Sequence, residues 1–362
     1  MYVRNLIREN PNWLSYLETE LKIHIVRDDD LVSLKYNQIE SPMHDPIVQE
    51  CRGMVVDVSC NVIVAHPYNK FWNHGEPLAA QIDWTTANVF EKLDGSLMLL
   101  HYWEGNWCVA SSGTPRAGGS FGDTDRTFRE AFWERWKVLG MRLPDPSLES
   151  VTFMFELCDA PNRIVVKHDK PRIVLHGARD LTTGQEIALR DLEGFVETLR
   201  WEMARSYPIG SISECLAAAE QLDPLQAEGF VVVDGAFNRV KIKSPRYVIL
   251  HHMKGEATPR RAIELWQTGE VGELLAHFPE MAPRILPIHE ALDGFARNAV
   301  NEMLANAGAA SRKDFALAVK DKPWSAACFR MYGDPSPTFE KAKAILRAQS
   351  LASLERLLSE FS

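Results

Sequence analysis

The chain has 362 residues, of which 46% are hydrophobic and 25% are charged, and its formal net charge is −9 at pH 7. This length allows two domains, and this composition excludes disordered and fibrous proteins. A net acidic chain is not the expected footprint of a protein that coats nucleic acid, although it is compatible with a local basic groove.

The sequence shows no signal for export or membrane insertion. No apolar run approaches the roughly 18–20 residues that a membrane-spanning helix requires, and the amino terminus lacks the apolar core of a signal peptide. The six cysteines are scattered and form no Cys-x-x-Cys pair, which favours free thiols in a reducing compartment. We therefore expect a cytoplasmic monomer that is not associated with membranes.

Charged residues beside apolar, strand-like runs are the first candidates for a site. Arg52 begins the run 52–57, and Lys70 lies among aromatic residues after the run 62–67. An arginine at the head of a buried strand requires an anion. A bound phosphate and a structural salt bridge would satisfy it equally well, and the sequence leaves both alternatives open.

The stretch 90–97 places Lys92 two residues before an Asp94-Gly95-Ser96 turn, with strand-like residues on either side. Asp-Gly is a strong turn signal, which predicts a lysine at the mouth of a tight connection between two strands. An ordinary hairpin with a solvated lysine is the alternative. Partners for the lysine elsewhere in the chain would distinguish the two.

Two carboxylates and two lysines interrupt later strand-like runs. Glu156 ends a nearly continuous apolar run, where a carboxylate is costly unless it meets a cation, a metal or a hydroxyl donor. Glu228 opens another run, and the strand after it places Lys241 and Lys243 on one face. These lysines repel each other unless an anion lies between them. An exposed edge strand guarded by lysines is the alternative.

From residue 255 onward, strand-like runs give way to helical patterns. Helices are predicted at 259–267, 286–307, 312–320, 338–347 and 349–361. This change predicts an α+β protein in which residues 1–254 form a first domain on antiparallel β-sheets with flanking helices. Residues 255–362 are predicted to form a smaller all-α domain.

Cations and carboxylates around a lysine are the groups that attack on the α-phosphate of a nucleotide requires. A lysine amine is protonated at neutral pH, since its ordinary pKa is about 10.4, and burial together with nearby positive charge frees it to act as a nucleophile. Carboxylates can hold a metal ion, and further lysines can neutralise the phosphate. We therefore expect cations around Lys92.

The order of these motifs resembles that of the covalent nucleotidyltransferases, which include DNA ligases, RNA ligases and mRNA-capping enzymes. Within this superfamily, the chain is similar over roughly residues 35–250 to the RNA ligase 1 family of bacteriophage T4. The resemblance is carried by Cys51-Arg52-Gly53, Lys70-Phe71-Trp72-Asn73, Lys92-Leu93-Asp94-Gly95-Ser96, Asn162-Arg163-Ile164-Val165, Glu228-Gly229-Phe230-Val231 and Lys241-Ile242-Lys243-Ser244 with Tyr247. It identifies the first domain as an expected nucleotidyltransferase domain.

The resemblance implies an ATP-dependent RNA ligase that works in three steps. Lys92 would attack the α-phosphate of ATP to give a lysyl-AMP and diphosphate. The AMP would pass to an RNA 5′-phosphate, and a 3′-hydroxyl would then displace it. The implied substrate is single-stranded RNA with such ends, in RNA repair, with tRNA among the candidates. The implied cofactors are ATP and Mg²⁺ or Mn²⁺.

The resemblance also assigns roles to residues. It implies catalytic roles for Lys92, Asp94, Lys241 and Lys243, and a metal-binding role for Glu228. It implies nucleotide contacts for Arg52, Lys70, Glu91, Lys92, Gly95, Glu156, Glu228, Lys241 and Lys243.

Several of these roles are specific. Gly95 would allow close approach of the nucleotide, and Glu156 would contact the ribose hydroxyls. Arg52 and Lys70 would face the triphosphate, and Asp94 would support the sealing steps.

One departure and two alternatives remain. The segment 111–116 lacks the lysine that the family carries there, and Arg116 is the candidate replacement. A ligase for nicked duplex DNA or RNA is the first alternative, although such enzymes usually append an OB-fold β-barrel where this chain is helical. A non-catalytic module that binds a nucleotide or RNA is the second.

Overall fold

The computed structural model describes residues 1–122, 124–253, 259–272, 275, 282–309 and 311–361. Two compact units are distinguished, one formed by residues 1–37 and 41–251 and the other by residues 38–40 and 252–362. The predicted domain boundary between residues 254 and 255 falls outside the described residues and stays a prediction. Within the described residues, no helix is both long enough and apolar enough to span a bilayer.

The helices of the chain up to residue 253 are short. They are α1 (Tyr2–Glu9), α2 (Trp13–Thr19), α3 (Pro46–Glu50), α4 (Phe128–Val138), α5 (Glu193–Leu199), α6 (Ile212–Gln221) and α7 (Pro245–Met253). Side chains cap several of them. Thr127 and Glu130, for example, form a complete capping box at the start of α4.

Strands make up most of the first unit. They are β1 (Ile23–Asp28), β2 (Leu31–Tyr36), β3 (Arg52–Asp57), β4 (Val62–Ala65), β5 (Trp72–Asn73), β6 (Asn88–Lys92), β7 (Ser96–Trp103), β8 (Asn106–Ser111), β9 (Val151–Cys158), β10 (Arg172–Asp180), β11 (Glu186–Ile187), β12 (Glu202–Met203), β13 (Ser206–Tyr207), β14 (Gly229–Val233) and β15 (Arg239–Lys243).

These strands form three sheets. A four-stranded sheet has the order β1-β2-β3-β4, a five-stranded sheet has the order β13-β6-β14-β15-β5, and a six-stranded sheet has the order β11-β10-β9-β7-β8 with β12 beside β10. Neighbouring strands are antiparallel except for the short pairs β15–β5 and β10–β12. The predicted α+β class with antiparallel sheets is therefore confirmed.

The stretch around Lys92 connects two sheets. The prediction of a tight connection between two strands holds for its length, but β6 and β7 are not a hairpin. β6 pairs with β13 and β14, whereas β7 pairs with β8 and β9. Both edges of each strand are thus already occupied, and the hairpin alternative is wrong. Lys92 is the last residue of β6 in the five-stranded sheet, and β7 of the six-stranded sheet begins at Ser96.

Residues 93–95 form the crossing between the two sheets. Gly95 lies where this crossing passes close to β9. A Cβ atom at Gly95 would lie 2.4 Å from the carbonyl oxygen of Leu157 and 3.0 Å from the Sγ atom of Cys158. No side chain fits such a space. The resemblance implies that this glycine allows close approach of the nucleotide. In the structure, the space that a side chain would need at Gly95 is occupied by β9.

The side chain of Asp94 stabilises the crossing through hydrogen bonds. Its buried Oδ2 atom accepts hydrogen bonds from the backbone N–H groups of Val165, at 2.9 Å, and Val166, at 2.6 Å. Its Oδ1 atom accepts a hydrogen bond from the hydroxyl of Tyr247 in α7, at 2.8 Å. One carboxylate therefore connects the crossing, the loop before β10 and α7.

The loop before β10 has a strand-like pattern over residues 161–166, which favours a strand, but the structure has none there. Residues Ala160–Asn162 form a single 3₁₀ turn that begins with the capping carboxylate of Asp159. The backbone N–H groups of residues 165 and 166 then donate to Asp94. These donors are unavailable to a sheet ladder, so the apolar residues there are buried without forming a strand.

Alternation along β14 and β15 separates the core from the site. Phe230, Val232, Val240 and Ile242 are buried in a cluster with residues of α6. Val231, Lys241 and the other alternate residues of both strands therefore project from the opposite face. The sheet period thus places both lysines on the face away from the core, as the sequence predicts.

The second unit is helical in its described residues. Its helices are α8 (Pro259–Thr268), α9 (Ala282–Ala305), α10 (Arg312–Val319), α11 (Ser325–Met331), α12 (Phe339–Arg347) and α13 (Leu351–Phe361). Trp266, Leu292 and Phe315 are among the residues of its own core. The predicted helical carboxy-terminal region is confirmed. Helix α11 was not predicted, because seven residues give too short a pattern to detect.

The packing of Gly95 predicts a stability effect. Gly95→Ala should lower the free energy of unfolding by about 1–3 kcal/mol, since the methyl group would overlap a backbone carbonyl. Gly194→Ala in α5 is the matched control, because its added Cβ meets nothing within 4 Å and alanine favours a helix. Urea denaturation of both variants tests this. Equal midpoints for Gly95→Ala and the parent chain would contradict it.

The carboxylate of Asp94 predicts a second effect. Tyr247→Phe should destabilise the protein by about 1–3 kcal/mol, because a buried carboxylate oxygen loses a hydroxyl donor. Tyr2→Phe, at an exposed position, should change stability little. Thermal unfolding compares the two variants. A loss of stability in Tyr2→Phe as large as that in Tyr247→Phe would show that the buried bond is unimportant.

Candidate active site

A cavity of about 1200 Å³ in the first unit is lined by the five-stranded and six-stranded sheets. The five-stranded sheet contributes residues of β6, β14 and β15, including Lys92 and Lys243. The six-stranded sheet contributes residues of β7, β9 and β10, including Glu156 and His176. The short crossing at residues 93–95 keeps the two linings close together.

Strand register aligns the two lysines that end β6 and β15. Lys92 pairs with Gly229, and Gly229 pairs with Lys243 on its other side. The two lysine Cα atoms are thus two strands apart, about 10 Å. A Cβ atom at Gly229 would lie 2.2 Å from the carbonyl oxygen of Ile242, and the residue has φ +152°. Only glycine fits between the lysines.

Glu228 joins the two lysines. Its Oε2 atom lies 2.6 Å from Lys92 Nζ, and its Oε1 atom lies 3.5 Å from Lys243 Nζ. Its side chain is only 5% exposed. The sequence analysis expected cations around Lys92, but the nearest charged group in the described residues is this carboxylate. A buried carboxylate requires cationic partners, and the two lysines supply them.

Lys241 and Lys243 share one face, as the alternation predicts, and both line the cavity. β15 is not a free edge, because it lies between β14 and the short strand β5. The alternative of lysines guarding an exposed edge is therefore not supported. Lys241 Nζ also lies 5.4 Å from the ring centre of Phe71, which places it over an aromatic face inside the cavity.

Arg52 lines the same cavity, and its guanidinium lies 5.2 Å from the ring centre of Phe71. Within the described residues, no carboxylate pairs with it, and its buried Nη1 atom has no hydrogen-bond partner. Of the two alternatives for Arg52, the structural salt bridge is not found. A buried guanidinium donor facing a cavity is suited to an anionic ligand.

Lys70 lines a second, neighbouring cavity of about 700 Å³ rather than the cavity that contains Lys92. Its Nζ atom lies 4.9 Å from the ring centre of Tyr36 and 6.0 Å from that of Trp72. Tyr36 lines the cavity that contains Arg52, so Lys70 lies beside that cavity without lining it. The triphosphate contact that the resemblance implies for Lys70 stays a prediction.

Glu156 faces the cavity from β9, and its side chain is 16% exposed. His176 Nε2 in β10 lies 3.4 Å from its Oε2 atom. The sequence predicted that this carboxylate requires a partner, and the nearby group is a histidine whose Nε2 atom makes no hydrogen bond in the described residues. The sequence pattern did not single out His176. His176 carried a similar signal, since it is a polar residue in the apolar run 173–178.

Three of the predicted site residues have structural contacts. The Glu91 carboxylate lies 3.1 Å from Arg172 Nη2 and accepts a hydrogen bond from the backbone N–H of Arg205. Asp94 is buried below the crossing, and Gly95 packs against β9. Of these three, Glu91 and Gly95 also line the cavity, whereas Asp94 does not.

A buried ion-pair cluster near Tyr68 was missed by the sequence analysis. Glu186 accepts from Arg239, at 2.7 Å, and from Arg179, at 3.1 Å. The Arg239 guanidinium lies 3.9 Å from the ring centre of Tyr68, whose hydroxyl donates to the carbonyl of His176. Burial raises the pKa of the Tyr68 hydroxyl, so it stays a neutral donor.

Arg116, the candidate replacement for the missing loop lysine, is engaged elsewhere. It lies 3.5 Å from a carboxylate oxygen of Asp28 and 3.5 Å from one of Asp29. Its guanidinium is 4.8 Å from the ring centre of Trp103. It does not line the cavity. Asp28 and Asp29, in the acidic run 28–30, thus provide partners for this arginine.

The cavity lining carries seven Lys or Arg and six Asp or Glu side chains, so its positive charge is local rather than general. Two arginines share Glu186, which leaves one positive charge in the buried cluster. Arg52, Lys241 and Lys243 add positive charge on the same cavity wall. Charge inside a cleft with low-dielectric walls acts locally, so the net charge of −9 does not decide what the cleft attracts.

The solved structures to which the chain is similar include two RNA ligases. An archaeal ATP-dependent RNA ligase is 13% identical, with 73% of this chain and 68% of that chain covered and a TM-score of 0.49. A lysine-to-alanine variant of the Naegleria gruberi RNA ligase with ATP and Mn is 14% identical, with 46% and 51% covered and a TM-score of 0.35.

Curated relatives are similar over most of this chain. A protein described as a bifunctional polynucleotide kinase/RNA ligase, from Autographa californica nuclear polyhedrosis virus, is 26% identical over 86% of this chain and 46% of its own length. An RNA ligase of Rhodothermus phage RM378 is 24% identical over 62% of this chain and 65% of its own length. The chain thus spans about half to two thirds of these relatives.

One family of proteins matches the part of the chain that builds the cavity. The model of the T4 RNA ligase 1 family, described as RNA ligase, matches residues 50–247. This match covers more than half of the chain and extends from the residues before Arg52 to Tyr247. The chain therefore belongs to the RNA ligase family of the bacteriophage T4 RNA ligase 1 type.

Proposed function

We propose that this chain is an ATP-dependent RNA ligase that forms a lysyl-AMP on Lys92 and then joins RNA 5′-phosphate and 3′-hydroxyl ends. The proposal rests on one observation. Lys92, Gly229 and Lys243 are paired side by side on three neighbouring strands, and Glu228 forms ion pairs with both lysines. Family membership supplies the reaction class, and this row supplies a nucleophile with its partners.

In the first step, Lys92 Nζ attacks the α-phosphorus of ATP. A P–N bond forms, the bond from the α-phosphorus to the oxygen that bridges to the β-phosphate breaks, and diphosphate leaves. The amine must lose a proton, and Glu228 Oε2, at 2.6 Å, is the nearest acceptor in the described residues. Lys241 and Lys243 stabilise the extra negative charge on the phosphate oxygens.

Glu228 is also the proposed metal ligand. The described residues include no group of three or more His, Cys, Asp or Glu side chains that could hold a metal by themselves. One carboxylate fits an ion that shares phosphate oxygens and water, as Mg²⁺ does. Such an ion, Mg²⁺ or Mn²⁺, neutralises charge on the phosphates. Arg52, with its unpaired Nη1 atom, is proposed to bind the triphosphate.

In the later steps, an oxygen of an RNA 5′-phosphate attacks the phosphorus of the lysyl-AMP, a P–O–P bond forms, and the P–N bond to Lys92 breaks, with the released amine taking up a proton. A 3′-hydroxyl oxygen then loses its proton and attacks the RNA 5′-phosphorus, and the bond from that phosphorus to AMP breaks, so AMP leaves. Glu156 and His176 are the polar pair on the opposite sheet, which suits contacts to ribose hydroxyls. Asp94 acts as a positioning residue, since its carboxylate fixes the crossing that carries Lys92.

The proposed division of labour follows the sequence. Residues 1–254 form the nucleotidyltransferase domain, and residues 255–362 form a helical domain of their own. The proposed substrates are single-stranded RNA ends in RNA repair, with tRNA as a candidate. The helical composition of the second unit supports single-stranded ends over nicked duplex, because duplex ligases usually append a β-barrel there.

The lysyl-AMP proposal predicts a clear labelling result. Lys92→Ala should abolish transfer of label from α-labelled ATP to the protein, because the P–N bond cannot form. Lys137→Ala, at an exposed position on α4, is the control and should label as the parent chain does. Gel autoradiography after denaturation measures the adduct. Undiminished label on Lys92→Ala would refute the proposal.

The substrate proposal predicts a preference among strands. The pre-adenylated protein should seal 5′-phosphorylated single-stranded RNA faster than single-stranded DNA, nicked duplex DNA or nicked duplex RNA. Product gels from parallel reactions measure the rates. Sealing that occurs only at nicks would establish the first alternative, and labelling without any sealing would leave only nucleotide transfer.

A further inference from the structure

The two cavities of the first unit meet at a shared set of side chains. Phe71, Glu186, Phe237 and Arg239 line both the cavity that contains Lys92 and the cavity that contains Lys70. The proposed chemistry uses the first cavity only. The second cavity, and the side chains at the junction, have no assigned role.

Phe237 has an unusual backbone at this junction. Its φ is +60°, in the left-handed region that side chains rarely adopt. It is the only aromatic residue among the non-glycine residues with positive φ in the described part of the chain. A bulky side chain in this conformation is strained, and such residues persist only where the surrounding structure fixes them.

The turn between β14 and β15 supplies that fixation through Asp234. The buried carboxylate accepts hydrogen bonds from the backbone N–H groups of Ala236 and Asn238 and from Asn238 Nδ2, at 2.9 to 3.0 Å. Its Oδ2 atom also accepts from the backbone of Asp83, at 3.2 Å. Burial opposes ionisation, but these hydrogen bonds outweigh it and lower the pKa of the Asp234 carboxyl.

The ring of Phe237 does not contribute to the core of its sheet. The apolar cluster behind β14 and β15 does not include it, and no aromatic ring in the described part of the chain stacks on it. Its side chain is half-buried at the junction. A strained turn that presents a ring to two cavities, without core packing, suggests a ligand for that ring.

The surroundings of the ring favour a nucleic acid strand. Arg239 beside it is buried, ion-paired with Glu186 and held over Tyr68, so its charge is already compensated within the protein. Lys70 lines the second cavity between aromatic rings, and Arg52 lines the first. Cations that follow a groove together with exposed aromatic faces are the pattern of single-strand binding, in which bases stack on the rings.

The distance from Lys92 separates this ring from the base of ATP. β6 and β14 pair over four residue steps, from Lys92–Gly229 to Asn88–Val233, which is about 13 Å. Phe237 lies in the turn beyond that end. The base of ATP is joined to its α-phosphate through a single ribose, so the intervening floor at Phe90 and Val231 is nearer to it.

We propose that Phe237 is a stacking platform for a base of the single-stranded RNA substrate, and that the second cavity continues the RNA path away from Lys92. This inference rests on the proposed function, because it assigns an RNA site to the same groove. The stacked face of the ring has no preference among bases, so the platform contributes affinity rather than sequence specificity.

Phe237→Gly is the central variant, because glycine removes the ring and fits the left-handed backbone. It should weaken binding of a fluorescein-labelled single-stranded RNA about ten- to a hundred-fold, measured by anisotropy. Phe237→Tyr, which keeps the ring, should restore binding to within about twofold. Glu104→Gly, another left-handed position on an exposed turn, is the matched backbone control and should bind as the parent chain does.

Step-specific kinetics complete the test. Phe237→Gly should raise the KM for RNA in sealing by a pre-adenylated donor, while its KM for ATP in self-adenylation changes less than twofold. A raised KM for ATP with unchanged sealing would place the base of ATP on the ring and overturn the proposal, as would unchanged RNA binding. Varying donor and acceptor concentrations separately shows which strand stacks there.

Failure of the proposed function gives a different result. If the parent chain forms no lysyl-AMP but binds RNA in a Phe237-dependent manner, the enzyme proposal fails and the platform stands. If the parent chain forms lysyl-AMP and Phe237→Gly binds RNA normally, the platform fails and the enzyme proposal stands.

Discussion

The site depends on a chain crossing of three residues. Leu93, Asp94 and Gly95 carry the backbone from the five-stranded to the six-stranded sheet, so the lysine that ends one sheet faces the polar pair on the other. The crossing is short because Gly95 has no side chain against β9. It is fixed because the Asp94 carboxylate accepts three hydrogen bonds from other parts of the chain. Lys92 is therefore placed by covalent geometry and buried hydrogen bonds.

Charge in the groove is arranged in compensated groups. Glu228 lies between Lys92 and Lys243, and Glu186 lies between Arg179 and Arg239. Glu228 is buried, the Glu186 side chain is 10% exposed, and each is shared by two cations. Such groups tolerate burial better than isolated charges, and each leaves one positive charge beside the cleft. An acidic protein can in this way present a local group of cations to a phosphate.

Two glycines and one turn shape the groove. Gly229 separates the lysines because a side chain there would strike β15, and Gly95 allows two sheets to meet. The turn at Asp234 uses a phenylalanine in a conformation that glycine adopts more easily. The first two positions relieve crowding, whereas the third accepts strain. The hydrogen bonds of the Asp234 turn fix the strained backbone, and the ring that this backbone carries lies at the junction of the two cavities.

The sequence by itself determined the local features. Period-two alternation predicted that Lys241 and Lys243 share a face, and apolar runs predicted most strands and the helical carboxy-terminal region. These features depend on neighbours in the chain, which a sequence displays directly. The prediction that Arg52 and Glu156 are charged residues within strands followed from the same local contrast.

Only the tertiary structure decided which groups meet. Lys92 and Glu228 are 136 residues apart, and their contact depends on sheet order, which alternation does not encode. The same limit explains why the sequence left the hairpin alternative open, since Asp-Gly turns precede both paired strands and strands of different sheets. It also explains why the partners of Asp94 were not predicted, because backbone donors are invisible in a side-chain pattern. Long-range pairing is set by the competition of all strands for partners, and that competition is resolved only in the folded chain.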